Sequence, residues 1–150
     1  MIRAAVFGMV VALGAGSVVA QQAPPDVAVT EPAMTLSRMA EIVFALDDAA
    51  VSRGNLFELT LAGVRVLIVT DPANDRMRAM VPIREAEGLT PEEMGRMMQA
   101  NFDTALDARY AVAQGTVWAV FIHPLSLLTR DQFISGLGQT VNVAQTYGTL

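Results

Sequence analysis

Phe57-Glu58-Leu59-Thr60-Leu61-Ala62-Gly63-Val64-Arg65-Val66-Leu67-Ile68-Val69-Thr70 sets the architecture of this 150-residue chain. Phe57, Leu59 and Leu61 alternate with Glu58 and Thr60, the period of two that a half-buried strand requires. Ala62-Gly63 leaves only two residues to reverse the chain into Val64 to Thr70, so the two strands form a tight hairpin. A parallel crossover takes about a dozen residues or more, and none of the adjoining links between strands has them. The strands are therefore expected to run antiparallel.

Downstream, Asp71-Pro72-Ala73-Asn74-Asp75 has the composition of a turn. Arg76 to Ile83 follows as a third strand, with Pro82 marking its end or a sheet edge. Upstream, Thr35 to about Ser52 predicts a helix, capped by Thr35 and stopped at Gly54. Its apolar face would carry Leu36, Met39, Ala40, Val43 and Phe44. Thr90-Pro91-Glu92-Glu93 opens a second helix with an N-cap threonine, a proline at the first position and a glutamate at the third. Met94, Met97, Met98, Asn101, Phe102 and Ala105 trace one of its faces. Asp107 to Val112 and Thr116 to Ile122 form a second hairpin, turning at Gln114-Gly115. Thr129-Arg130-Asp131-Gln132 then caps a final helix through Phe133, Leu137, Val141 and Ala144 to Tyr147. The order α-β-β-β-α-β-β-α describes an α+β fold with an antiparallel five-stranded sheet and three helices, not a doubly wound nucleotide binder.

The alternation breaks down where it matters for function. Val64, Val66 and Ile68 point one way while Leu67 and Val69 point the other; Val117, Ala119 and Phe121 likewise oppose Trp118, Val120 and Ile122. Both faces of these strands are apolar, so both need cover. Burying one Ile or Phe fully is worth about 1.5–3 kcal/mol, so a few uncovered large residues would strongly favour association. Either the second helix crosses to the second face and closes the core, or that face meets another molecule. The expectation here is a homodimer, or a protein or peptide partner, contacted through Val66, Ile68, Met94, Met97, Met98 and Trp118.

Composition removes several function classes. Cysteine is absent, which excludes disulfides, thiolate nucleophiles and thiolate metal sites. His123 is the only histidine, so one chain cannot build a multi-histidine metal site. The ten basic residues are all arginine, against fifteen acidic ones, for a net charge of -5. An acidic chain without a basic cluster is poorly suited to gripping nucleic-acid phosphates.

Met1 to Ala20 has the layout of a secretory signal: Arg3, an apolar stretch from Ala4 to Leu13, and the small-residue end Val18-Val19-Ala20. Cleavage after Ala20 would deliver a periplasmic or secreted protein with no membrane insertion of its mature part. Gln21 to Met34, with Pro24, Pro25 and Pro32, is expected to be a flexible leader before a domain over residues 35–150.

No catalytic constellation emerges. His123, in His123-Pro124-Leu125 with Ser126 nearby, would need a nucleophile and an orienting carboxylate, and no Gly-x-Ser-x-Gly elbow is present. Asp47-Asp48 and Glu92-Glu93 are adjacent pairs that diverge on a helix. Asp71, Asn74 and Asp75 lack the glycine and distal glutamate of a calcium loop. Arg76 and Arg78 share one strand face, where they would be solvated or would hold an anionic partner. No cofactor, metal or catalytic residue is expected. The alternative is a small-molecule-binding or enzymatic domain with a pocket near His123, beside Arg109 or Ser126; a purely structural envelope protein is a third reading.

With these elements in place, residues 35–148 resemble YbjN-type proteins, which share the fold of the type III secretion chaperones (the CesT-like, Tir-chaperone fold). The resemblance rests on the element order and on Phe57-Glu58-Leu59-Thr60-Leu61, Leu89-Thr90-Pro91-Glu92-Glu93, Asn101-Phe102, Ala108-Arg109-Tyr110-Ala111-Val112 and His123-Pro124-Leu125. It implies a non-enzymatic domain, often a homodimer, whose exposed apolar surfaces receive peptide segments. Type III chaperones act in the cytoplasm whereas this chain opens with an export signal, so the resemblance carries over the fold.

Overall fold

The structure is a computed structural model and describes residues 31–149. The expected signal segment and most of the expected leader lie outside the described residues. The leader's described end belongs to the domain: Met34 is buried, and the Glu31 carboxylate accepts from the Arg38 guanidinium and the Arg130 N–H.

The first helix, α1 (Leu36–Leu46), starts at Thr35, whose hydroxyl accepts the Arg38 N–H at 3.2 Å. It is shorter than the sequence pattern implies. Asp47 leaves the helical conformation and turns its carboxylate toward the sheet, accepting from the Ala49 N–H at 3.0 Å and the Thr60 N–H at 2.7 Å. The residues after it form a strand, β1 (Val51–Arg53), which makes the sheet six-stranded and not five-stranded. Gly54, at φ +61°, turns a hairpin instead of ending a helix, with Arg53 facing Leu56 across Gly54-Asn55.

The two hairpins expected from Ala62-Gly63 and Gln114-Gly115 are present. All four residues take positive φ, as a two-residue turn matched to strand twist demands. The first joins β2 (Leu56–Leu61) to β3 (Val64–Asp71) and the second joins β5 (Arg109–Ala113) to β6 (Thr116–His123). Between the hairpins run β4 (Arg76–Glu85) and α2 (Pro91–Asp103), and α3 (Arg130–Thr146) closes the domain. Both later helices carry full capping boxes, Thr90 with Glu93 and Thr129 with Gln132. All strand pairs are antiparallel, in the order β1-β2-β3-β4-β6-β5. Pro82 therefore sits in a central strand, next to a register shift between Pro82 and Arg84, where a bulge relieves the ladder of the missing N–H.

One face of the sheet makes the core. Phe57, Ile68, Ala79 and Phe121 stand side by side across four strands, and Thr70 and Met77 form the next row with His123 at its end. Met39, Ile42 and Val43 of α1 cover this face together with Phe133, Leu137 and Val141 of α3. Phe44 faces outward, one position off the face that Ile42 completes. Helix α2 lies on the same side: it buries Met97 and Ala100, and core-side Arg84 reaches both Glu93 and Tyr147. It also guards the outer border, where the Asn101 amide pairs with both the Tyr110 N–H (2.7 Å) and the Tyr110 carbonyl (3.2 Å).

Candidate functional site

Among the described residues all three helices lie on one side, and the opposite face of the sheet has no helix over it. Register reads it out row by row. Arg53, Leu56, Val69, Arg78 and Ile122 form one row across the sheet. Glu58, Leu67, Met80, Val120 and Arg109 form the next, and Pro82, Trp118 and Ala111 the one after. Two shallow concavities on this face share Arg78, Met80 and Ile122, so they run together as one trough from Val69 and Asp71 to Trp118 and Gln114. Val69 is 40 % exposed and Ile122 51 %, while Leu67, Met80, Trp118 and Val120 are half-buried by their neighbours alone. The Trp118 indole N–H donates to the Ala113 carbonyl at 3.1 Å, which pins the ring against the end of β5.

Charges punctuate this apolar field. Arg65 grips Glu58 through two hydrogen bonds of 2.5 and 2.9 Å. Those bonds hold the Glu58 carboxyl below the usual glutamate range, with the nearby Arg53 charge adding to the effect, and raise Arg65 in turn. Asp71 is committed to its own turn, accepting from the Asn74 N–H and side-chain amide.

A second apolar surface lies on α2. Met94, Met98 and Phe102 recur every four residues as an exposed ridge, 45, 70 and 89 % accessible, and Leu106 at 71 % continues it beyond the helix end.

The expected contact residues divide accordingly. Trp118 stands on the open face, and Met94 and Met98 on the ridge. Val66, Ile68 and Met97 are corrections: the structure buries all three in the core, where they present no surface. Val66 and Ile68 fall on the helix-covered face because their register partners Leu59 and Phe57 do. Their odd-numbered neighbours Leu67 and Val69 take the open face instead. Sequence reasoning missed Leu67, Val69, Met80 and Ile122 as surface residues, although the double-sided apolar pattern was the signal that held them. It also grouped Phe102 with Met97 and Ala105 on one face of α2, whereas Met97 and Ala105 are buried and Phe102 is exposed; 3.6-residue spacing alone does not say which part of an apolar arc faces inward.

The region near His123 is concave as well, lined by Asp107, Arg109, Ser135 and Gln139 among others. Several groups in and near it are engaged elsewhere. His123 donates from Nδ1 to the Pro124 carbonyl at 2.8 Å and stacks on Phe121 with ring centroids 5.9 Å apart. The Arg109 guanidinium donates to the Leu106 and Ala108 carbonyls. Ser126 gives both its N–H and its hydroxyl to Asp75, at 2.7 Å each, and Ser135 accepts from Gln139. No hydroxyl or carboxylate hydrogen-bonds the imidazole among the described residues, so a nucleophile–base pair is not assembled. Nor do three His, Asp or Glu side chains converge among the described residues as metal ligands would.

No family model matches the chain, and no curated protein matches it either. Solved structures do. The chain aligns over 76 % of its length, and 93 % of the matched chain, with the ExsC-ExsE complex at 14 % identity and a TM-score of 0.59. It aligns with the Yersinia pestis type III secretion chaperone SycH, solved with a stable fragment of YscM2, at 14 % identity and a TM-score of 0.57, over 74 % of this chain and 97 % of that one. The ExoU-SpcU heterodimer of the Pseudomonas aeruginosa type III secretion system gives 12 % and 0.54, over 73 % and 95 %. The fold is that of the type III secretion chaperones. At these identities the likeness concerns the path of the backbone.

Proposed function

We propose that this chain is an exported, non-enzymatic protein-binding module that works as a homodimer, with α2 forming the dimer contact and the open sheet face receiving a partner. The observation that carries the reading is that, among the described residues, no helix lies over the apolar rows of Val69, Met80, Trp118, Val120 and Ile122, while the other sheet face is covered by helices. Contiguous exposed apolar surface of this kind is characteristic of interaction sites. The fold supports the same reading, because the matched chaperone structures include complexes with bound protein partners. The export signal at Met1 to Ala20 supports action outside the cytoplasm. The α2 ridge supports a second copy as its occupant, since Met94, Met98 and Phe102 at four-residue spacing can interdigitate with the same ridge across a twofold axis.

Site-specific photo-crosslinking tests the open face. A photoreactive residue at Val120 should yield discrete adducts with other proteins in the compartment fraction that holds the chain, while one at Gln145 on α3 should not. Equal labelling from both positions, or none from Val120, would refute the reading. Light scattering tests the dimer: the protein should run as a dimer, and Met98→Asp with Phe102→Asp should make it a folded monomer with an unchanged circular dichroism spectrum. A wild-type monomer would remove the dimer from the proposal, and recovery of the chain only in the cytoplasm would remove export.

A further inference from the structure

Arg78 is the one charge at the centre of the open face, and nothing in the domain answers it. In its row the residues on either side are Val69 of β3 and Ile122 of β6, both exposed and apolar. Among the described residues neither Arg78 nor Arg76, two positions earlier on the same strand face, has an ion-pair or side-chain hydrogen-bond partner, and of the carboxylates on this face only Asp71 stands near them, opposite Arg76 and not Arg78. Glu58 is held by Arg65, and Asp71, which also accepts from Asn74, pairs in register with Arg76 at the end of β3. Glu85 lies at the far end of β4 opposite Thr116, beyond Trp118.

This placement constrains the partner. Covering the trough removes water from Arg78 as well as from Val69, Met80 and Ile122, and a guanidinium left dry without a counter-charge opposes the gain from the apolar contacts. An occupant that brings a carboxylate to that point turns the penalty into a charge-assisted, bidentate contact. Resting on the protein-binding reading above, we infer that the open face takes a peptide segment of a partner protein in which an aspartate or glutamate is set among large apolar side chains, the carboxylate docking on Arg78. A second copy laid on the same face would bring a second Arg78 toward the first. A polyphosphate strand or an anionic bilayer would meet a chain of net charge -5 with few basic groups to hold it.

Selection of random displayed peptides on the purified protein tests this. Wild type should retain peptides in which Asp or Glu is flanked by Leu, Ile, Val or Phe. Replacing that residue by Asn or Gln in a selected peptide should weaken binding about tenfold or more, as should Arg78→Gln in the protein. Arg78→Glu should reverse the selection toward Lys or Arg, while Arg130→Gln on the helical side should change nothing. Arg78 makes no contact that folding needs, and a thermal melt of each variant verifies this. Apolar peptides chosen without regard to charge, or selection unmoved by Arg78→Glu, would overturn the inference while leaving the protein-binding reading intact. Peptides that still bind Val120→Asp would place the site elsewhere and overturn it. Phosphatidylglycerol vesicles or an oligonucleotide binding more tightly than any peptide, and losing that binding in Arg78→Glu, would also overturn it. Retention of no peptide at all would defeat both readings.

Discussion

Gly136 of α3 lies so close over Phe121 of β6 that a Cβ at position 136 would stand 2.5 Å from the phenyl ring. The ring is buried and has no room to retreat, so the helix can approach the sheet this closely only because the side chain is a hydrogen. Gly136→Ala should destabilise the domain by about 1–3 kcal/mol through overpacking, outweighing alanine's better helix propensity of about 1 kcal/mol. Gly138 has nothing within 4 Å of its Cβ position, and Gly138→Ala should be neutral or stabilising by up to about 1 kcal/mol. Urea denaturation of the two variants checks the contrast.

Tyr110 links the sheet border to α3. Its hydroxyl donates to the Val143 carbonyl at 2.7 Å inside the core, and its ring meets Tyr147 edge-on at 6.0 Å. Tyr110→Phe keeps the packing and removes the donor from a buried acceptor, which should cost about 1–2 kcal/mol in the same assay.

Asp75 provides the pH dependence. Its carboxyl lies below the ordinary aspartate value of 3.8, chiefly because the Ser126 hydroxyl and then the Ser126 N–H donate to it. A group with a depressed folded-state pKa contributes stability that is present above 3.8 and is lost as pH falls through the lowered value. Wild type should therefore be more stable than Asp75→Asn near neutral pH, and the gap should close in acid. A gap that stays constant in urea melts across that range would show that Asp75 acts through packing alone.

Leu106 holds a left-handed backbone at φ +53°, a conformation that disfavours a side chain. Leu106→Gly should raise subunit stability by up to about 1 kcal/mol. Because Leu106 extends the Met94, Met98 and Phe102 ridge, the same change should weaken the proposed dimer, measured as a higher dissociation constant by sedimentation.

The fold was largely legible because its signals are local. Two-residue turns at Ala62-Gly63 and Gln114-Gly115 and the capping threonines Thr35, Thr90 and Thr129 each specify their own neighbourhood. β1 was not legible: Val51-Ser52-Arg53 continues a helical run, and the chain departs from the helix because the Asp47 carboxylate finds the Thr60 N–H, thirteen residues away. The open face was readable as a surplus of apolar strand residues, but which residues lay on it was not. That assignment depends on which side the helices choose, and Val66 and Leu67 read alike until α1 and α3 are in place. The bulge beside Pro82 was hidden for a similar reason, since proline in a strand commonly marks an edge.

Asn101 and Asp47 have a consequence for how such a chain behaves when crowded. Unclaimed N–H and C=O groups along the margins of a sheet are templates for fibril growth. Here the amide of Asn101 impersonates a neighbouring strand at Tyr110, and the carboxylate of Asp47 does so at Thr60, beyond the short reach of β1. Lateral polymerisation is thereby discouraged while the flat of the sheet stays bare. At those two positions a second chain finds no free backbone group with which to extend the sheet.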